Sequence, residues 1–135
     1  MYIDSNIFIF AALNTDQIGE DCRAIIEKIS EGTLPAASSY LSIDEVMWIV
    51  KKNTNRMEAV NIAKSMLSLP IRWINVDEPI IMGMLATFQT LKLDPRDALH
   101  AASMQEHGLD QILSEDTDFE NIGKIKRLSI YDVIN

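Results

Sequence analysis

Short apolar runs alternate with longer segments of helical periodicity along this chain, which predicts an α/β fold with a mainly parallel sheet. Tyr2-Ile3-Asp4 reads as a first strand that stops at Asp4, with Ser5 and Asn6 placed to cap a short helix through Leu13. From Gln17 to Ser30, Ile18, Cys22, Ile25, Ile26 and Ile29 recur at close to helical spacing, and Gly32 ends that helix. Thr33 to Ala37 is a weak second strand. Helices follow from Ser42 to Asn53 and from Met57 to Leu69, with Pro70 as the stop. Ile71 to Val76 is the third strand. Asp77 caps a helix from Glu78 to Leu91, and Asp94 caps the next, which has Pro95 at its first position and Gly108 past its end. Ile112 to Ser114 is the fourth strand, and Ile125 to Ile130 a last short one before a terminal turn. The expectation is a sheet of four to five strands flanked by helices.

A chain of 135 residues fits a single domain, 1–135, and can bury roughly two-thirds of its unfolded surface. No apolar run approaches the roughly 20 residues that span a bilayer, and Met1 to Asp4 does not read as the start of a signal peptide. Cys22, the single cysteine, has no partner for an internal disulfide and reads as a small buried hydrophobe. A reducing, cytoplasmic home is expected. The net charge of −8 argues against a protein that coats nucleic acid nonspecifically, because phosphate contacts need Lys and Arg. It does not exclude a nuclease, whose bound cations reverse the local field.

Four acids fall where function is expected. In open α/β sheets, ligands collect beyond the carboxyl ends of the strands. Asp4 ends the first strand and Asp116 follows the fourth, while Glu45 and Asp97 lie in the first turns of two helices. If they share one cleft they repel: at an effective dielectric of about 20, two charges about 4 Å apart cost roughly 4 kcal/mol. A hard divalent cation resolves that conflict, and Mg²⁺ or Mn²⁺ suits carboxylate oxygen. No His/Cys cluster points to zinc.

Each acid also has a plainer reading. Ser42-Ile43-Asp44-Glu45 is a capping-box pattern, and Asp97, three residues after Asp94, suits a helix dipole. Asp4 can cap a helix, and Asp116 and Asp118 can be turn residues. Arg96 is placed to contact a phosphate or to pair with Asp94. His100 reads as a packed or hydrogen-bonding helix residue, and Trp48 and Trp73 as core or interface residues. Ala98, Ala101 and Ala102 are small enough to let their helix lie close to the sheet.

Taken in order, the motifs resemble the PIN-domain nucleases, in particular the VapC-type toxins of prokaryotic toxin–antitoxin modules. They are Tyr2-Ile3-Asp4-Ser5-Asn6, Ser42-Ile43-Asp44-Glu45-Val46, Pro95-Arg96-Asp97-Ala98-Leu99-His100-Ala101-Ala102 and Ile112-Leu113-Ser114-Glu115-Asp116-Thr117-Asp118-Phe119. The resemblance covers essentially the whole chain. It implies a three-layer fold and a Mg²⁺- or Mn²⁺-dependent site that cleaves RNA, with Asp4, Glu45, Asp97 and Asp116 as the acidic quartet. Asp118 resembles an auxiliary acid, and Asn6 and Ser114 resemble supporting polar residues. A small antitoxin partner and a homodimer are implied as well.

Rival readings fit less well. A haloacid-dehalogenase-like phosphatase needs a second acid two residues after Asp4, where Asn6 stands. A phosphorylation-receiver domain needs an acid order that is not present. The remaining alternative is a PIN-like scaffold that binds RNA or protein without cleaving, against which the complete acid set argues.

Overall fold

The computed structural model describes residues 1–135. Its strands are β1 (Tyr2–Ile3), β2 (Ala36–Ser39), β3 (Ile71–Ile74), β4 (Gln111–Leu113) and β5 (Lys126–Leu128). Its helices are α1 (Ser5–Leu13), α2 (Gln17–Ser30), α3 (Leu41–Asn53), α4 (Arg56–Ser68), α5 (Glu78–Thr90), α6 (Pro95–Glu106) and α7 (Ile130–Ile134). All five strands pair in parallel in the order β3-β2-β1-β4-β5. The chain therefore builds outward from β1 to β3 and restarts on the other side with β4. This reversal between β1 and β4 is where open parallel sheets hold ligands.

Side chains alternate across the sheet because successive Cβ atoms point to opposite faces. Tyr2, Ala37, Ile74 and Ile112 pack with α5, α6 and Phe119, while Ile3, Ile71 and Leu113 pack with α1, α2, α3, α4 and α7. Both faces are covered, which gives three layers, and the strand side chains that face these cores are mostly apolar. Cys22 lies in the second of these cores. No helix is long and apolar enough to cross a membrane.

The second strand lies later than the sequence pattern predicts. Thr33 and Leu34 donate to the Lys28 carbonyl and close α2, and Pro35 has no N–H for a ladder. The strand instead includes Ser38 and Ser39, both fully buried. Their polarity is absorbed locally: Ser38 Oγ donates to the Ile3 carbonyl at 2.8 Å, and Ser39 N–H donates to the Tyr2 hydroxyl at 3.2 Å.

Capping also differs in detail. Asp4 caps α1, in place of Ser5 or Asn6, and the expected box at Ser42 and Glu45 does not form. The helix starts one residue earlier, Ser42 Oγ pairs with Ser38 Oγ at 2.9 Å, and Glu45 is engaged elsewhere. Asp94 holds the cap position of α6 but makes no side-chain cap bond, whereas Asp77 caps α5 as expected. Ile18 and Trp48 are exposed rather than core residues.

Two glycines mark close approaches. A Cβ at Gly83 on α5 would stand 3.3 Å from the Ala102 methyl group, so the small residues of α6 serve its packing against α5 as well as the sheet. A Cβ at Gly19 would stand 2.1 Å from the Asn14 carbonyl oxygen, which is backbone and cannot swing aside. Gly19→Ala is therefore expected to destabilise the fold by about 1–3 kcal/mol, despite alanine's better helix propensity of about 1 kcal/mol. The check is a lowered urea midpoint with an unchanged slope.

Candidate active site

The carboxyl ends of β1 and β4 lie side by side, and one buried hydroxyl ties them together. Ser114, immediately after β4, donates from Oγ to Asp4 Oδ2 at 2.5 Å. It accepts from the Asn6 side-chain amide at 3.1 Å and from Asp116 N–H at 3.0 Å. Its one proton and both lone pairs are thus used. Asp4 Oδ1 accepts from Ser5 N–H at 2.7 Å, so both oxygens of this buried carboxylate are held. Asn6 and Ser114 fix the positions of Asp4 and the Asp116 backbone.

Asp116 opens a short 3-10 turn, Thr117–Phe119, by accepting from Asp118 N–H at 2.9 Å. That turn brings Asp118 back towards Asp116, and the first turn of α6 brings in Asp97. Asp97, Asp116 and Asp118 each offer an oxygen, all within 4.8 Å of one another. The closest trio thus includes Asp118 and leaves Asp4 outside it, although Asp4 acts on Asp97 through its charge.

Asp97 records how tightly the acids converge. Burial, followed by the charges of Asp116, Asp4 and Glu45, pushes its carboxyl up to about 7, with His100 pulling the other way. The whole predicted quartet is therefore felt at one side chain. Burial is also the main cause that raises Asp4, ahead of the opposing His100 charge and Ser114 hydrogen bond. The trio offers only oxygen donors, as a hard divalent cation prefers, and such an ion would relieve the mutual repulsion. Asn6 Oδ1 is buried with no protein partner, an acceptor that a ligand's water shell can satisfy. The residues present fit a divalent cation.

A model of the PIN domain family matches residues 1–125. The chain belongs to the PIN domain family. Solved structures place the same fold over nearly its whole length. A toxin–antitoxin complex from Klebsiella pneumoniae matches with a TM-score of 0.69 at 23% identity, covering 98% of each chain. VapC20 of Mycobacterium tuberculosis, described as a sarcin–ricin-loop-cleaving toxin, matches with a TM-score of 0.73 at 14% identity. That match covers 92% of this chain and 97% of the other. DNA-bound VapBC from Salmonella typhimurium matches at 0.73 and 16% identity, covering 96% of each chain. No curated protein sequence matches the chain.

In this PIN domain, Glu45 has a partner that sequence reasoning did not assign. Its Oε1 lies 2.5 Å from Nε2 of His100, which is fully buried on α6. His100 Nδ1 lies 2.5 Å from the Tyr2 hydroxyl. Burial disfavours the imidazolium, yet the bond to Glu45 and the nearby acids outweigh it and hold His100 above the usual histidine range. The sequence reading of His100 as a hydrogen-bonding helix residue matches this placement, but Tyr2 was only a strand residue there. The available signal was the spacing: Asp97 and His100 are three apart and share a helix face.

Glu45 and Asp97 line an open cleft of about 430 Å³ together with Asp94, Pro95 and Arg96. Arg96 is exposed and makes no ion pair with Asp94; the ion pairs of the fold are His100–Glu45 and Arg127–Glu120. Arg96 is thus a cation at the lip of an otherwise acidic cleft.

Proposed function

We propose that this PIN domain is a Mg²⁺- or Mn²⁺-dependent ribonuclease that hydrolyses RNA phosphodiester bonds. The observation that carries this reading is the meeting of Asp97, Asp116 and Asp118 within 4.8 Å, at the sheet reversal that also holds Asp4. Asp97, Asp116 and Asp118 would hold the ion, with Asp4 behind them. A divalent cation there supplies activated water and neutralises charge on the phosphoryl group. Glu45 has one carboxylate oxygen outside its His100 bond and orients the attacking water from the cleft wall. Arg96 holds a substrate phosphate at the lip. Ser114 and Asn6 keep Asp4 and the Asp116 turn in place.

The toxin and toxin–antitoxin descriptions of the similar structures support a role as the toxin of such a pair, acting in the cytoplasm. An apolar groove of about 330 Å³ between α1, α2 and α4, lined by Phe8, Ala12, Ile26, Ile62, Met66 and Leu69, suits an apolar helix of a small antitoxin. A homodimer would use α5. No charged residue lies between Pro79 and Leu91, and Met82, Leu85 and Phe88 are each more than half exposed.

The test is cleavage of mixed single-stranded and structured RNA by the purified protein. Activity should require Mg²⁺ or Mn²⁺, vanish with chelator, and be absent in Asp4→Asn. Full activity with chelator, or in Asp4→Asn, would remove the reading.

A further inference from the structure

Glu45 is the one acid of the quartet whose side chain is held by another side chain from a different helix. It stands on α3, and the bond that orients it comes from α6, the helix that also carries Asp97. His100 is entirely buried, and Glu45 keeps 13% side-chain exposure at the cleft. A fully buried histidine is costly unless both ring nitrogens are paired, and here they are. The Tyr2 hydroxyl accepts from Ser39 N–H at 3.2 Å, which leaves its proton for His100 Nδ1. The neutral ring then carries its hydrogen on Nε2, facing Glu45; the imidazolium carries one there too. In either state Nε2–H donates to Glu45. The chain Ser39–Tyr2–His100–Glu45 therefore joins β2, β1, α6 and α3.

We propose that His100 is a positioning residue that locks Glu45 against α6, so that the placement of Glu45 relative to Asp97 is set by one rigid helix and backed by Tyr2. This rests on the nuclease reading for its catalytic consequence, but the orientation of Glu45 has its own readout. His100 touches neither substrate nor ion. It works through Glu45, as outer partners of a metal site orient the ligands that do.

The experiment compares His100→Gln, His100→Asn, His100→Leu and Tyr2→Phe, alone and, for His100→Leu, on a Glu45→Gln background. Readouts are kcat and KM for RNA cleavage and, without RNA, the position of the Glu45 carboxylate in crystals of each variant. Gln places an amide N–H where Nε2 stands, whereas Asn is one carbon short. His100→Leu and His100→Asn should lower kcat by about 10–100-fold with KM nearly constant, and His100→Gln should recover most of it. Tyr2→Phe should give a smaller kcat loss, and His100→Leu should add little once Glu45 is Gln. Unchanged kcat in a folded His100→Asn, no rescue by Gln, or multiplying losses in the double variant would overturn the proposal. If Leu fails to fold, the Gln–Asn comparison decides. Wild-type protein that binds Mn²⁺ but never cleaves RNA removes the nuclease reading. In that case positioning stands if the Glu45 carboxylate is displaced in crystals of the Asn variant and back in place in Gln, and falls if it keeps one place in all variants.

Discussion

Asp97→Asn is expected to lower RNA cleavage by about 10³-fold or more while making the metal-free protein more stable at pH 8. The two effects share one cause. Asp97 is half-buried, and burial together with Asp116, Asp4 and Glu45 pushes its carboxyl up to about 7. Above that pH the folded protein carries a charge that its surroundings oppose, and asparagine removes the charge with little change of shape. Allowing for solvent screening of a partly exposed group, the gain is on the order of 1 kcal/mol. At pH 5 the gain should be smaller, because only part of the window between 3.8 and about 7 has been crossed, and it should vanish only below 3.8. Thermal unfolding at the two pH values, alongside cleavage rates, checks both halves. A variant that is inactive and also destabilised at pH 8 would point to ordinary structural damage instead.

Metal-free wild-type protein should lose stability as pH rises from about 5 to 8, and Mg²⁺ or Mn²⁺ should restore it at pH 8 far more than at pH 5. The sign follows from proton binding. Between its ordinary value of 3.8 and about 7, Asp97 keeps in the folded state a proton that the unfolded chain has released, so stability falls with rising pH through that window. Asp4 and His100, both raised, act in the same direction. Asp132, held low by Ser129, acts oppositely, but only below its ordinary value of 3.8. Because the ion and the proton compete for Asp97, apparent affinity should weaken about tenfold per pH unit below about 7. Calorimetric titration with Mn²⁺ from pH 5.5 to 8 measures it. A flat profile would mean that Asp97 is not a ligand.

The parts of the fold legible in the sequence are those where local chemistry and tertiary packing agree. The α2 span, Pro95 at the start of α6 and, to within one residue, the ends of β1 at Ile3 and β4 at Leu113 were readable from periodicity and cap residues. Where side chains at 42 and 45 had two possible partners, the local one did not win. Ser42 paired with Ser38 at the end of β2, and Glu45 with His100 on α6, a contact 55 residues apart in the chain that no local pattern shows. β2 was misplaced for the same reason: Ser38 and Ser39 are polar, and only the Ile3 carbonyl and Tyr2 hydroxyl make their burial tolerable. The acids of the site were visible as residues at strand and helix ends. Their division into a close trio with Asp118 and a withdrawn Asp4 was not, since it depends on the 3-10 turn after Asp116 and on the strand order.

The most direct measurement is a crystal of the wild-type protein grown with Mn²⁺, with anomalous scattering collected at the manganese edge. A peak coordinated by Asp97, Asp116 and Asp118, with Asp4 behind them, is the predicted result. A fully occupied Mn²⁺ bound elsewhere, with none at these carboxylates, would contradict it.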